Sequence, residues 1–341
     1  VTTQVYKPSQ NISSGGQKGR TGEAFINIKT EDKSIFEAVA DIPIHLSRRA
    51  QFSHMRIIII GEDFARQHNI NEALDFFSRN NEPRLTNNVI IAKGKASDYL
   101  KIKPLIENTS SQEIRQAQLA ASERSSKSIK MTLYRLFLQL RGQAGNAVMP
   151  YVSYDAEEKA LNVSGAALMK KGKLAKVFTP AETERLIMLM NEYDYGIVEI
   201  ACPKGGNTGN LVETMEVISA NTKIQTTVTG QKIKLKVTNR TNGSVSEMHC
   251  SDFQKEQSVE KFLKHAEERL KQGLQEVMKK LQEGKLDVIG VADQVYRKDP
   301  QLWKMIKKDW DQYFAEARVE YDVKVTISDT GMFIGKSVGK K

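Results

Sequence analysis

Cysteine is nearly absent from this sequence, with only Cys202 and Cys250 among 341 residues. Two cysteines cannot build a disulfide-dense scaffold, and their separation does not fit the paired spacing of a structural zinc site. One bridge between them stays open, and Cys202, next to Pro203, reads most simply as a small buried residue at a strand end. Histidine is also scarce. His45, His54, His68, His249 and His265 show no HExxH or other ligand spacing, and no serine sits in a nucleophile elbow. No catalytic, cofactor-binding or metal-ligating residue is therefore assigned, and no enzyme is expected. Long apolar runs are missing too. Ile57 to Ile60 falls far below the ~18 residues of a membrane span, so no segment is expected to cross a bilayer.

What is present is a globular composition. At 40% hydrophobic, the chain can bury a sizeable core, and its length suggests two or three domains. A net charge of +10 arises from 51 basic and 41 acidic residues, a mildly basic surface that favours anionic partners without naming one. The chain opens at Val1, already inside an alternating pattern, so its natural start and any signal peptide are expected ahead of it.

Along the chain, TTQVYKP and AFINI read as strands on either side of SQNISSGGQKGRTG, a mobile loop by its serine and glycine content. That loop is not a phosphate cradle, because Gly19 is followed by Arg20 where a P-loop needs lysine. SIFEAVADIPIHL places Ile35, Phe36, Val39 and Ile42 at helical spacing, and MRIIIIG reads as a strand buried on both faces. NINEALDFFSRN and NNVIIAKG repeat the order of helix then strand, which predicts alternation around one sheet. The polar helix QEIRQAQLAASERSSK leads to a second helix striped by Leu133, Leu136, Phe137 and Leu140, ended by Gly142, with a loop at Pro150. Lys171-Gly172 predicts a hairpin. Thr179-Pro-Ala-Glu predicts a capped helix running through ERLIMLMNEY. PKGGNTGN, residues 203 to 210, has the composition of an interdomain linker.

Beyond it, Ile224, Thr226 and Val228 alternate, as do Ile233, Leu235 and Val237, with turns expected at Thr229-Gly230 and Asn242-Gly243. A long helix follows, with Val259, Phe262, Leu263, Ala266, Leu270, Leu274, Val277 and Leu281 on one stripe before Gly284. A last strand carrying Val319, Tyr321, Val323 and Val325 is expected to rejoin the meander. The fold class is thus α+β, three small mixed α/β domains in a row, each a largely antiparallel or mixed sheet with packed helices. Their limits are 1–118, a mixed α/β domain, 119–205, a middle α+β domain, and 206–341, a C-terminal α+β domain.

Both tryptophans lie in YRKDPQLWKMIKKDWDQYF, residues 296 to 314. Asp299-Pro300 starts a helix, and Leu302, Trp303, Ile306, Trp310 and Phe314 recur along one face, with Lys304, Lys307 and Lys308 largely opposite. Segregation of aromatics from lysines favours a packed structural face over a nucleic-acid groove, and a membrane-lying helix is the other reading. Asp309 and Asp311 point apart on a helix and read as solvated acids. His54 reads as a hydrogen-bonded structural histidine. Ser47-Arg48-Arg49 reads as a helix end with cations near its carbonyls, or as part of a contact surface.

Three stretches in order carry a family resemblance: SRRAQFSHMRIIIIGEDFAR at 47–66, GAALMKKGKLAKVFTPAETERLIML at 165–189, and LDVIGVADQVYRKDPQLWKMIKKDWDQYF followed by a strand and DTGM at 286–332. Together they resemble the C subunits of bacterial spore germinant receptors, the Ger(x)C lipoproteins. The resemblance implies a non-catalytic scaffold subunit of a nutrient receptor, partnered by integral membrane A and B subunits. It also implies a location on the outer face of the spore inner membrane, held by an N-terminal lipidated cysteine that this chain does not include. One lipid chain binds a membrane only marginally, so a second contact is expected from protein partners or a basic surface. Arg48, Arg49, Lys304, Lys307 and Lys308 are the candidate contact patch. The alternative is a subunit that itself binds a small nutrient in a cleft between domains. A basic nucleic-acid binder is the weakest class, and no nucleic acid partner or cofactor is expected.

Overall fold

The computed structural model describes residues 1–7, 24–46, 50–202, 211–230 and 232–329. It is a mixed α/β structure with several sheets and packed helices, and its residues group into two compact units, one drawn mainly from residues 1–177 and the other mainly from 178 onward. The expected loop at 9–22 and the expected linker at 203–210 lie outside the described residues.

In the first unit, β1 (Thr2–Tyr6) pairs antiparallel with β2 (Phe25–Lys29), Thr2 opposite Lys29. These strands form their own sheet instead of joining the helix-strand repeats. Only side chains reach onward: Gln4 Nε2 and Asn27 Nδ2 both donate to the Leu100 carbonyl, at 2.9 and 2.6 Å. The helix expected over SIFEAVADIPIHL is two, α1 (Ile35–Ala40) and α2 (Ile42–His45). Pro43 explains the break, since its ring and missing N–H oppose a helix continuing from the turn before it. Phe36 is left 64% exposed.

A six-stranded sheet follows. Its elements are β3 (Ile57–Gly61), α3 (Glu62–Gln67), α4 (Ile70–Arg79), β4 (Asn88–Ala92), α5 (Ala96–Tyr99), α6 (Ser110–Ser125), α7 (Leu133–Arg141), β5 (Asn146–Asp155), β6 (Ala160–Asn162), β7 (Ala166–Lys170) and β8 (Lys173–Phe178). The path of strands is β3-β4-β5-β7-β8, with β6 beside β5. The isoleucine run of β3 is therefore an edge strand, mostly half-buried, and the strand buried at every position is β4. Pro150 lies inside β5 and not in a loop. It falls where β5 passes from β7 (Pro150 opposite Ala166) to β4 (Tyr151 opposite Ile91), a place where a missing N–H is tolerated. The β7–β8 turn is at Lys171-Gly172, both with positive φ, as a tight hairpin requires.

The second unit contains α8 (Pro180–Leu189), which opens with a full capping box between Thr179 and Glu182. It stops short of the expected Tyr193, and Asn191 adopts positive φ just beyond. A four-stranded sheet runs β12-β11-β10-β9, from β9 (Gly196–Ala201), β10 (Val212–Thr229), β11 (Lys232–Glu247) and β12 (Arg318–Asp329). The domain boundary expected near residue 205 falls between β9 and β10, which pair with Ala201 opposite Val212. β12 joins β11 in parallel, a pairing that needs a crossover. That crossover is α9 (Glu256–Gly284), α10 (Val291–Lys298), α11 (Pro300–Ile306) and α12 (Trp310–Ala315). α9 buries Phe262, Ala266, Leu270, Leu274, Val277, Met278 and Leu281, closely matching the expected stripe.

Two local readings are corrected here. Asn242-Gly243 is not a turn but lies within β11, beside register shifts against β10. A Cβ on Gly243 would sit 2.6 Å from Met215 Cγ and 2.7 Å from the Glu216 carbonyl oxygen, so glycine serves close strand approach. Cys202 is not a lone buried residue; it is joined to Cys250 by a disulfide. The bridge ties the end of β9 to the segment entering α9.

Gly243→Ala is expected to lower unfolding free energy by about 1–3 kcal/mol, and an unchanged denaturation midpoint would contradict the close approach. Reducing the disulfide, which spans 48 residues, should cost up to about 4 kcal/mol by loop entropy; urea titration with and without a thiol reductant measures it.

Candidate interaction surface

The stretch Leu286-Asp-Val-Ile-Gly290 connects α9 to α10 and hides an acid in apolar company. Asp287 is 3% exposed. Its carboxylate accepts from the Val291 and Ala292 amides at 3.0 and 2.7 Å and from Trp310 Nε1 at 3.2 Å. One side chain thus satisfies the first turn of α10 and the only polar atom of a buried indole. Burial pushes its pKa up to about 6 against the opposing pull of those three donors.

Asp299 caps α11, accepting from Gln301 N and Leu302 N, with Pro300 at its first turn. The single helix expected over 300–314 is instead α11, a 3-10 turn at Lys307–Asp309, and α12. Even so, Trp303, Ile306, Trp310 and Phe314 are all buried, the two indole rings 5.1 Å apart and edge to face. Gln282 Nε2 from α9 donates to the carbonyls of Phe314, Ala315 and Ala317, satisfying acceptors at the end of α12.

With the aromatics held inside, Lys304, Lys307 and Lys308 face solvent, and Met305 between them is 72% exposed. Three candidate cations therefore share one short segment. Arg48 and Arg49 lie outside the described residues. His54 is exposed at the end of a short 3-10 turn ahead of an edge strand. Asp309 is exposed and Asp311 half-buried.

Two further polar clusters escaped sequence reasoning. Glu213, 2% exposed, accepts from the amides of His249, Cys250 and Ser251 at 2.7–3.1 Å and from the Ser251 hydroxyl at 2.7 Å. Its signal was an acid at an inward position of an alternating strand, beside Met215 and Val217. Its carboxylate lies within 4.8 Å of both cysteine sulfurs, but the disulfide consumes the thiolates that would hold a metal. In α8, Glu184 accepts from the Tyr193 hydroxyl at 2.5 Å and from Arg185 at 3.3 Å, all three buried. Burial, then the Glu184 charge, drives the Tyr193 pKa far up. Gly273 makes room for this cluster, since a Cβ there would be 2.9 Å from Arg185 Nε; a glycine in mid-helix was the available sign.

In the first unit, a groove of about 380 Å³ lies between α1 and α4, lined by Ile35, Phe36 and Phe76 with Glu72, Asp75 and Arg79.

Comparison with known proteins covers almost the whole chain. Residues 1–154 match the family model described as spore germination protein N-terminal domain, and residues 164–331 match spore germination B3/GerAC like, C-terminal. Spore germination protein YndF of Bacillus subtilis (strain 168) is 28% identical over 327 residues, covering 94% of this chain and 78% of that protein. Spore germination protein B3 of the same organism is 27% identical over 332 residues, covering 92% and 82%. The crystal structure of the GerBC protein shares the fold, with a TM-score of 0.66 at 21% identity over 89% of this chain and 85% of that one.

The raised pKa of Asp287 has a definite sign. Its folded value near 6 exceeds the ordinary 3.8, so the stability it contributes is complete below about 4 and lost as pH rises through 6. The stability difference between wild type and Asp287→Asn should therefore drift toward the variant by on the order of 3 kcal/mol from pH 4 to 7. A difference that stays flat across guanidinium titrations at those pH values would contradict the buried carboxylate.

Proposed function

Because this chain belongs to the spore germination B3/GerAC-like family, we propose that it is the C subunit of a spore nutrient-germinant receptor, a non-catalytic component that works by contact. Its partners in this reading are the integral membrane A and B subunits. A lipidated cysteine ahead of Val1 would hold it on the outer face of the spore inner membrane. The observation that carries the proposal is the match of both halves of the chain to models of spore germination proteins. The outward row of Lys304, Lys307 and Lys308 over buried aromatics supports a contact surface, and Arg48 and Arg49, outside the described residues, are proposed as further contact residues. Three domains in a row remain our proposal for its organisation.

A second reading makes this subunit the one that binds the nutrient. The groove between α1 and α4 favours it, being within the usual ligand-pocket volume and combining aromatic walls with both charge signs.

Photocrosslinking in spores separates the two. Full-length protein with probes beside Lys304 and Lys308 is expected to crosslink to two integral membrane proteins, and Lys304→Glu with Lys307→Glu and Lys308→Glu to reduce those crosslinks about tenfold or more. Recovery of monomer alone from every position, together with saturable nutrient binding by the purified chain, would replace the scaffold reading with the nutrient-binding one.

A further inference from the structure

Leu105 and Ile106 are 83% and 89% exposed, the highest values for large apolar side chains among the described residues. Single exposed aliphatics need no explanation, but two adjacent ones at the tip of a loop do. They lie between α5 and α6, in a loop whose backbone is firmly held. The Glu113 carboxylate accepts from the Ile106 and Glu107 amides at 3.2 and 2.9 Å. Ser110 Oγ donates to the Ile102 and Leu100 carbonyls at 2.5 and 3.2 Å. The Leu100 carbonyl also receives Gln4 and Asn27 from the β1–β2 sheet. The fold has already met the cost of ordering this loop, while leaving its apolar tip in water.

We propose that residues 103–106 form a lipid-inserting tip, with Leu105 and Ile106 entering the headgroup and acyl boundary of an anionic bilayer. Lys101 and Lys103 are exposed at its base and meet the lipid phosphates. Lys101 is shared with Asp98 at 2.8 Å, whereas Lys103 has no ion-pair partner among the described residues. Shape favours lipid over protein. A stable protein interface buries about 800 Å² per partner, and this tip offers two apolar side chains ringed by Lys101, Lys103, Glu107 and Asn108. A fluid bilayer closes around a small convex tip without a matching pocket.

The bonds joining Gln4 to Leu100 and Ser111 also set the base of this loop against β1, at a residue about 10 Å of strand from Val1. A tip there would act beside the proposed anchor. That orientation rests on the anchor reading, and insertion itself does not.

The test uses the anchor-free chain with vesicles of phosphatidylglycerol and phosphatidylethanolamine, and neutral phosphatidylcholine vesicles as the reference. Ile106→Cys offers a thiol for an environment-sensitive fluorophore while Cys202 and Cys250 are joined to each other. Emission should shift to the blue on anionic vesicles. In unlabelled protein, Leu105→Ser with Ile106→Ser should weaken cosedimentation about tenfold or more, and Lys103→Glu about fivefold or more. Melting curves of all variants should match wild type, since these side chains touch little. A label that stays in water, or binding unchanged by the double serine variant, overturns the proposal; so does a label that is dry only when crosslinked to a protein in spores. Failure of the anchor reading shows separately, as full-length protein that takes up no fatty acid in metabolic labelling.

Discussion

Asp287 has to satisfy three N–H groups where no water reaches, and the arrangement of the crossover helices follows from that demand. Its carboxylate fixes the start of α10 and the rotation of the Trp310 indole together. With Trp310 fixed, Trp303 packs on it edge to face and the lysines between them have only solvent to face. The position of the cations is thus a consequence of a buried acid in the segment before α10, well ahead of them in sequence. A neutral hydrocarbon there would leave the indole N–H and two helix amides unpaired, which is costlier than the desolvated carboxylate.

The same economy appears at Glu213 and Glu184. Each is a buried acid whose partners are donors belonging to the fold: backbone amides and a serine for Glu213, a tyrosine and an arginine for Glu184. Buried acids can mark a functional site, but here their oxygens are already engaged in holding segments in place. They order the structure that presents surfaces. They do so in a chain whose two halves match models of spore germination proteins.

Each unit offers its own kind of surface. The second has cations over an aromatic base, suited to an acidic or polar partner. The first has a rigid loop tip with two aliphatics, suited to a bilayer. In both, the exposed group stands on a hydrogen-bonded foundation, Glu113 beneath the tip and Asp287 beneath the lysines, so that contact costs little ordering.

Local pattern determined much of this in advance. The stripe of α9, the capping box at Thr179, the Lys171-Gly172 turn and the burial of both tryptophans were legible because each depends on neighbours within a few residues. Periodicity also implied a mixed α/β fold. Tertiary structure decided the rest. Which of two isoleucine-rich strands lies at the edge depends on what pairs beyond it, and Asn242-Gly243 became mid-strand because β10 is long enough to carry β11 past it. The Cys202–Cys250 bond and the donors around Glu213 and Asp287 join groups far apart in sequence. No local signal specifies such partners, because their free energy arises only when the chain brings them together and removes the water between them.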